Sequence, residues 1–141
     1  MKFEKADMLS YLRTHRLAVV STVGPNGEPQ SALVGIAVSA LSEVVFDTVT
    51  DSRKHANLLR DPRASIVFSG PGEQTVQFEG VARQLMLAGT QDAELRSIYY
   101  ETWPDGPDRL KWPNLTYWCI APRWARYSDF DRGPLIQEFH W

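Results

Sequence analysis

The spacing of apolar residues changes several times along the chain, and each change marks a new element. Between residues 4 and 15, Met8, Leu9 and Leu12 share one helical face while Lys5, Arg13 and Arg16 lie off it, which predicts an amphipathic helix. Residues 17–23, LAVVSTV, are rich in β-branched side chains and predict a strand. The turn signal Asn26-Gly27 follows, then a second strand in QSALVGIAV (30–38), which makes a hairpin. Ser39 to Glu43 predict a turn and VVFDTV (44–49) a third strand. A helix over 52–60 is capped by Ser52 or Asp51 and stopped near Asp61-Pro62, with Ala56 and Leu59 as a small apolar face. ASIVFSG (64–70) predicts a fourth strand, GPGE a turn, and residues 75–86 a long fifth strand. Gly80, in the middle of that strand, predicts a bulge or sharp bend. Ala93, Leu95, Ile98 and Tyr99 mark a helix over 91–103, with Thr90 as its cap. A proline-rich loop leads to two closing strands, 115–122 and 123–130, meeting at Pro122-Arg123. The remaining tail, DRGPLIQEFHW, is apolar enough to dock on its own barrel or on a second copy.

Strands in hairpin order with short turns predict a mainly β fold: an antiparallel barrel with flanking helices. The helices do not alternate regularly with strands, which argues against a doubly wound sheet. A length of 141 residues suits one domain over 1–141. Hydrophobic residues at 43% and charged residues at 23% allow an ordinary core. The formal net charge of −2 gives no bulk attraction to nucleic acid or to a membrane surface. MKFEKADMLSYLRTHR has scattered charge and no apolar signal-peptide core, and no apolar run approaches the ~18 residues of a membrane span. Cys119 is the single cysteine, so no intrachain disulfide forms. The expectation is a cytoplasmic protein.

Most catalytic patterns are missing. His15, His55 and His140 are far apart and show no metal-ligand spacing, so no metal site is expected. There is no G-x-S-x-G, and Cys119, between Trp118 and Ile120, reads as a buried inert thiol. No catalytic residue is assigned. A bound cofactor is then the natural source of chemistry. One anomaly remains. Arg53 and Lys54 open the second helix, where the helix dipole favours anions. Two readings are open: a solvated charged pair, or an anion site in which backbone N–H groups, the two cations and the hydroxyls of Thr48, Thr50 and Ser52 converge.

The segment VVFDTVTDSRKHANLLRDPRASIVF resembles the flavin-phosphate segment of the pyridoxamine 5'-phosphate oxidase-like split-barrel proteins. The matching features are Asp47-Thr48 at a strand end, Ser52-Arg53-Lys54 opening a helix, and Asp61-Pro62-Arg63 before ASIVF. VVSTVGPNGEPQSALVGI is similar to the family's first hairpin, VQFEGVARQL to its long strand, and RWARYSDF to its final strand. The resemblance implies a split β-barrel homodimer with FMN in clefts between subunits. It assigns the FMN phosphate to Arg53 and Lys54, helped by Thr48 and Ser52 and flanked by Asp47. It places Gln30, Ser31, Ala32, Leu33 and Val34 beside the ribityl chain and ring, with Gln77 and Tyr127 near the flavin. It implies an FMN-dependent oxidoreductase acting on a small molecule. Two alternatives share the fold: a deazaflavin-dependent reductase, and a flavin- or haem-binding protein without turnover. The Arg-x-His motif of the pyridoxamine phosphate oxidases is not reproduced, since Arg132 and His140 have the wrong spacing.

Overall fold

The hairpin order of the sequence carries through into the sheet. The computed structural model describes residues 2–141. Helix α1 (Lys5–Arg13) leads into strands β1 (Leu17–Val23), β2 (Pro29–Gly35), β3 (Ala37–Val38) and β4 (Val44–Val49). Helix α2 (Arg53–Arg60) follows, then β5 (Arg63–Ser69) and β6 (Gln74–Gln84). Helix α3 (Ala93–Thr102), a 3-10 segment at Gly106–Lys111, β7 (Leu115–Asp129) and β8 (Leu135–His140) complete the chain.

The strand order is β2-β1-β5-β6-β7-β4-β3, with β8 added on β7. All pairings are antiparallel. The two ends of this order, β2 and β3, are separated in the chain only by Ile36. The sheet must therefore curl until its first and last strands meet, which makes a split barrel. Val20, Phe46, Ile66, Phe68, Phe78 and Ile120 fill its interior, and Met8 and Leu12 of α1 plug one end. A second core lies on the other face of β4 and β7, where Leu95 and Tyr99 of α3 pack on Val45, Tyr117 and Cys119. Burial raises the Cys119 thiol pKa to about 12, so it stays protonated at neutral pH.

Three expectations need correction, and the open question of the tail is decided. Residues 115–129 form one continuous strand rather than two. The ladder between β6 and β7 shifts register at Glu79/Gly80, opposite Pro122. Pro122 has no N–H to offer, and it falls where the bulge already interrupts the ladder, so the strand continues through it. The tail is the strand β8, paired to β7 from Leu135↔Asp129 to His140↔Trp124. Phe139 enters the core and Lys5 Nζ donates to the His140 carbonyl at 2.6 Å, so the tail covers its own barrel. Helix α3 begins after Asp92 rather than Thr90; the Asp92 carboxylate is occupied by Arg83 and the Met86 N–H. Finally, the buried face of α2 is His55, Asn57 and Leu58, while Leu59 and Ala56 face outward. That inward polar face builds the site. No helix among the described residues is long and apolar enough to cross a membrane.

Candidate functional site

Helix α2 starts at Ser52, whose Oγ accepts the His55 N–H at 3.2 Å, and ends at Asp61 before Pro62. The first turn holds Arg53 and Lys54 and no acidic residue. Arg60 lies in the last turn, where the dipole favours a cation. Neither Arg53 nor Lys54 has an ion-pair partner among the described residues. Their backbone N–H groups precede the first intrahelical bond and are free for an external acceptor. Two unneutralised cations at the positive end of a helix repel each other and the dipole, and an anion bound there removes both penalties.

These residues face a pocket of about 220 Å³ lined by Thr22, Gln30, Ser31, Ala32, Arg53 and Lys54. Gln30 is its hub. The Gln30 Oε1 accepts from Arg53 Nε at 3.1 Å and from Asn57 Nδ2 at 2.8 Å. Asn57 Nδ2 also donates to Thr22 Oγ1 at 2.9 Å, and Asn57 Oδ1 accepts from Arg60 Nη2 at 2.7 Å. The polar face of α2 is thereby fastened to both strands of the first hairpin. Sequence reading did not single out Thr22, Asn57 or Arg60. They carry no local signal, since polar residues on a helix are ordinarily solvated and Thr22 reads as an ordinary strand residue.

The remaining predicted residues divide. Thr48 Oγ1 donates to Ser52 Oγ at 2.9 Å, so Thr48 supports the cap while the Ser52 hydroxyl hydrogen stays free to donate. Ser31 and Leu33 lie on the outer face of β2, with Ser31 Oγ 2.6 Å from Ser21 Oγ, while Val34 packs against the core. Gln77 is exposed on the outer face of β6, opposite Val67 and Arg126, and does not line the pocket. Two placements depart from the expectation. Asp47 points to the opposite face of β4 from Thr48, because strand side chains alternate. There it accepts from Arg109 Nη1 at 3.0 Å, under α3, and burial with the Asp47 charge raises the Tyr99 pKa. Tyr127 is 3% exposed and stacks on Phe3 at 3.9 Å, so its ring is a core aromatic rather than a wall of the pocket.

His55, in the first turns of α2, is 7% exposed. Its Nδ1 accepts from Trp118 Nε1 at 3.1 Å, which requires the neutral ring with its proton on Nε2. Burial lowers the His55 pKa. The unfolded chain therefore binds this proton more tightly. The stabilisation is present above the ordinary histidine pKa of ~6.5 and is lost as pH falls below it. Melting temperature should drop between pH 7.5 and 5, with a shallower slope in His55→Gln; identical slopes would remove His55 from the cause. His15 closes α1, with Nδ1 2.9 Å from the Tyr11 carbonyl and Nε2 3.1 Å from the Ser69 carbonyl.

A curled antiparallel split barrel with an anion-ready pocket at the α2 N-terminus defines a class of fold and site. Within that class, residues 5–129 match the pyridoxamine 5'-phosphate oxidase family model, and the chain belongs to that family. A pyridoxine/pyridoxamine 5'-phosphate oxidase of Cupriavidus metallidurans is 30% identical over 115 residues, covering 79% of this chain and 51% of that protein. The chain thus spans about half the length of this relative. A haem-binding protein of Mycobacterium smegmatis superposes with TM-score 0.81 at 17% identity, over 94% of this chain and 55% of the other. A pyridoxamine 5'-phosphate oxidase-related, FMN-binding protein of Nostoc punctiforme superposes with TM-score 0.71 at 17% identity, over 94% and 84%. At these identities the two structures speak for the fold alone.

Proposed function

We propose that the chain binds FMN by its phosphate and acts as an FMN-dependent oxidoreductase on a small molecule. The observation that carries this reading is the pair Arg53 and Lys54, without carboxylate partners among the described residues, at the N-terminus of α2 and lining a pocket. A phosphomonoester supplies the missing negative charge. The guanidinium of Arg53 offers a planar fork, Lys54 a point charge, and the first-turn N–H groups and Ser52 hydroxyl further donors. Gln30 and Ala32 would flank the chain that leads away from the phosphate. Bound flavin supplies hydride chemistry that no side chain here provides. The protein's part is anchoring, orientation and exclusion of water.

A pocket of about 220 Å³ is smaller than the ~300–1,000 Å³ of typical cofactor sites. A second copy of the chain would complete it. Leu17, Leu33 and Val67 are exposed together on the outer face of β2, β1 and β5, which gives that copy an apolar surface to cover. The homodimer predicts a mass in light scattering of twice the chain's 16.0 kDa. The double change Leu33→Asp/Val67→Asp should shift it to monomer and weaken FMN binding with it. A wild-type monomer that binds FMN at full affinity would contradict the shared cleft.

Arg132 Nε pairs with Asp129 and His140 lies in β8, so these two do not form an Arg-x-His grip. Absorbance titration of purified protein with FMN, the deazaflavin coenzyme and haem tests the cofactor. A flavin-type spectrum with FMN preferred supports the proposal, and preference for either of the others overturns it.

A further inference from the structure

Asn57 is 2% exposed in the middle of α2, yet every polar position of its amide is used. Arg60 can only donate, so it fixes Oδ1; Thr22 Oγ1 and Gln30 Oε1 accept from Nδ2. The orientation of Gln30 is fixed in the same way. Its Oε1 faces two donors, Arg53 Nε and Asn57 Nδ2, while its Nε2 donates to Glu28 Oε1 at 3.3 Å. The result is a directed chain running Asn57, Gln30, Arg53, from a buried amide to a pocket-lining cation.

Arg53 enters this chain through Nε alone. Its terminal nitrogens have no protein partner among the described residues, so the fork is held from behind and left open in front. A free arginine side chain gives up rotamer freedom when it closes on a ligand. Here that ordering is done in advance by Gln30, which is itself held by Asn57 from behind the pocket. We propose that Asn57 is the positioning residue of the phosphate site: it orients Gln30 so that Gln30 aims the Arg53 fork, and it sets the preference for a phosphorylated ligand over its dephosphorylated form. The inference rests on the phosphate-anchoring reading above.

Asn57→Asp is the informative change. It keeps the shape and the acceptor for Arg60, and the Thr22 hydroxyl can turn to donate to the carboxylate, but the bond to Gln30 Oε1 becomes a contact between two acceptors. The Gln30 amide then rotates to donate, and Arg53 Nε loses its anchor. Gln30→Met removes the same anchor while leaving Asn57 its bonds to Thr22 and Arg60, and it stands in if Asn57→Asp fails to fold.

Two measurements decide the matter. In ligand-free protein, the Arg53 Nε–H resonance should be protected from exchange in the wild type and lose that protection in both variants. In titrations, each variant should lower the ratio of FMN to riboflavin affinity roughly tenfold, the worth of one immobilised side chain. The double variant should fall no further than either single one, and neither change should alter the ratio in an Arg53→Ala background. A general loss of packing would weaken both ligands alike and persist in that background, which overturns the inference. Wild-type protein that prefers FMN while Asn57→Asp keeps the same preference also overturns it and leaves the phosphate reading intact. Wild-type protein without any preference overturns both.

Discussion

Replacing Arg53 and Lys54 together by alanine is expected to weaken FMN binding by roughly 10²–10³-fold, with riboflavin affinity changed less than about threefold. Charge-assisted hydrogen bonds contribute about 1.5–3 kcal/mol each, and the partial exposure of these side chains places them at the lower end. Two such contacts make about 3–4 kcal/mol, which converts to that ratio. Helix α2 itself should tolerate the change, because alanine is the better helix former and the dipole penalty at the first turn disappears. The variant should therefore melt no lower than the wild type without ligand. Equal losses for FMN and riboflavin would mean that the two cations hold the helix or the hairpin rather than a phosphate.

Gly80→Ala is expected to destabilise the fold by about 2–4 kcal/mol, lowering the melting temperature by roughly 10 °C. The reason is local and rigid. A Cβ at this position would run into the Ala121 carbonyl oxygen, a backbone atom, and lie 2.8 Å from Ile120 Cγ2. Neither neighbour can rotate away, and both belong to the strand that pairs with β6 and carries β8. Relief requires β6 and β7 to part at the bulge. An unchanged denaturation midpoint would show that the two strands separate at little cost, and that the bulge is not the tight corner described above.

What the sequence made legible follows from signals that are local. Ser52 as cap and Pro62 as stop define α2 without reference to anything distant, and the helix runs between them. β-branched runs and the Asn26-Gly27 turn define the first hairpin in the same way. Gly80 announced the bulge because only a residue without a side chain allows that approach. Pro122 misled for the opposite reason. Proline ordinarily ends a strand, and its tolerance here depends on the adjoining bulge at Arg123 and on pairing with Gly80, more than 40 residues away. Tail residues 135–140 lack strong strand periodicity and are held by the edge that β7 offers them.

The site was legible as charge and not as geometry. Arg53 and Lys54 stood out because they violate the dipole rule. Asn57 and His55 break no local rule, since a polar residue on a helix is ordinarily solvated; only the fold turns that face inward. Asp47 and Thr48 are adjacent in sequence and lie on opposite faces of β4, so a motif that names them together cannot place both in one pocket. Tyr127 had an aromatic's usual ambiguity, and Phe3, far away in sequence, resolves it in favour of the core.

The central claim is that a phosphate is held at the α2 N-terminus. The most direct test is calorimetric titration of the wild-type protein, stripped of any chromophore, with FMN and with riboflavin at low and high salt. FMN should bind more tightly by at least about 100-fold at low salt, and the gap should narrow as salt screens the two cations. Equal affinity for the two ligands, or a gap indifferent to salt, would contradict the account.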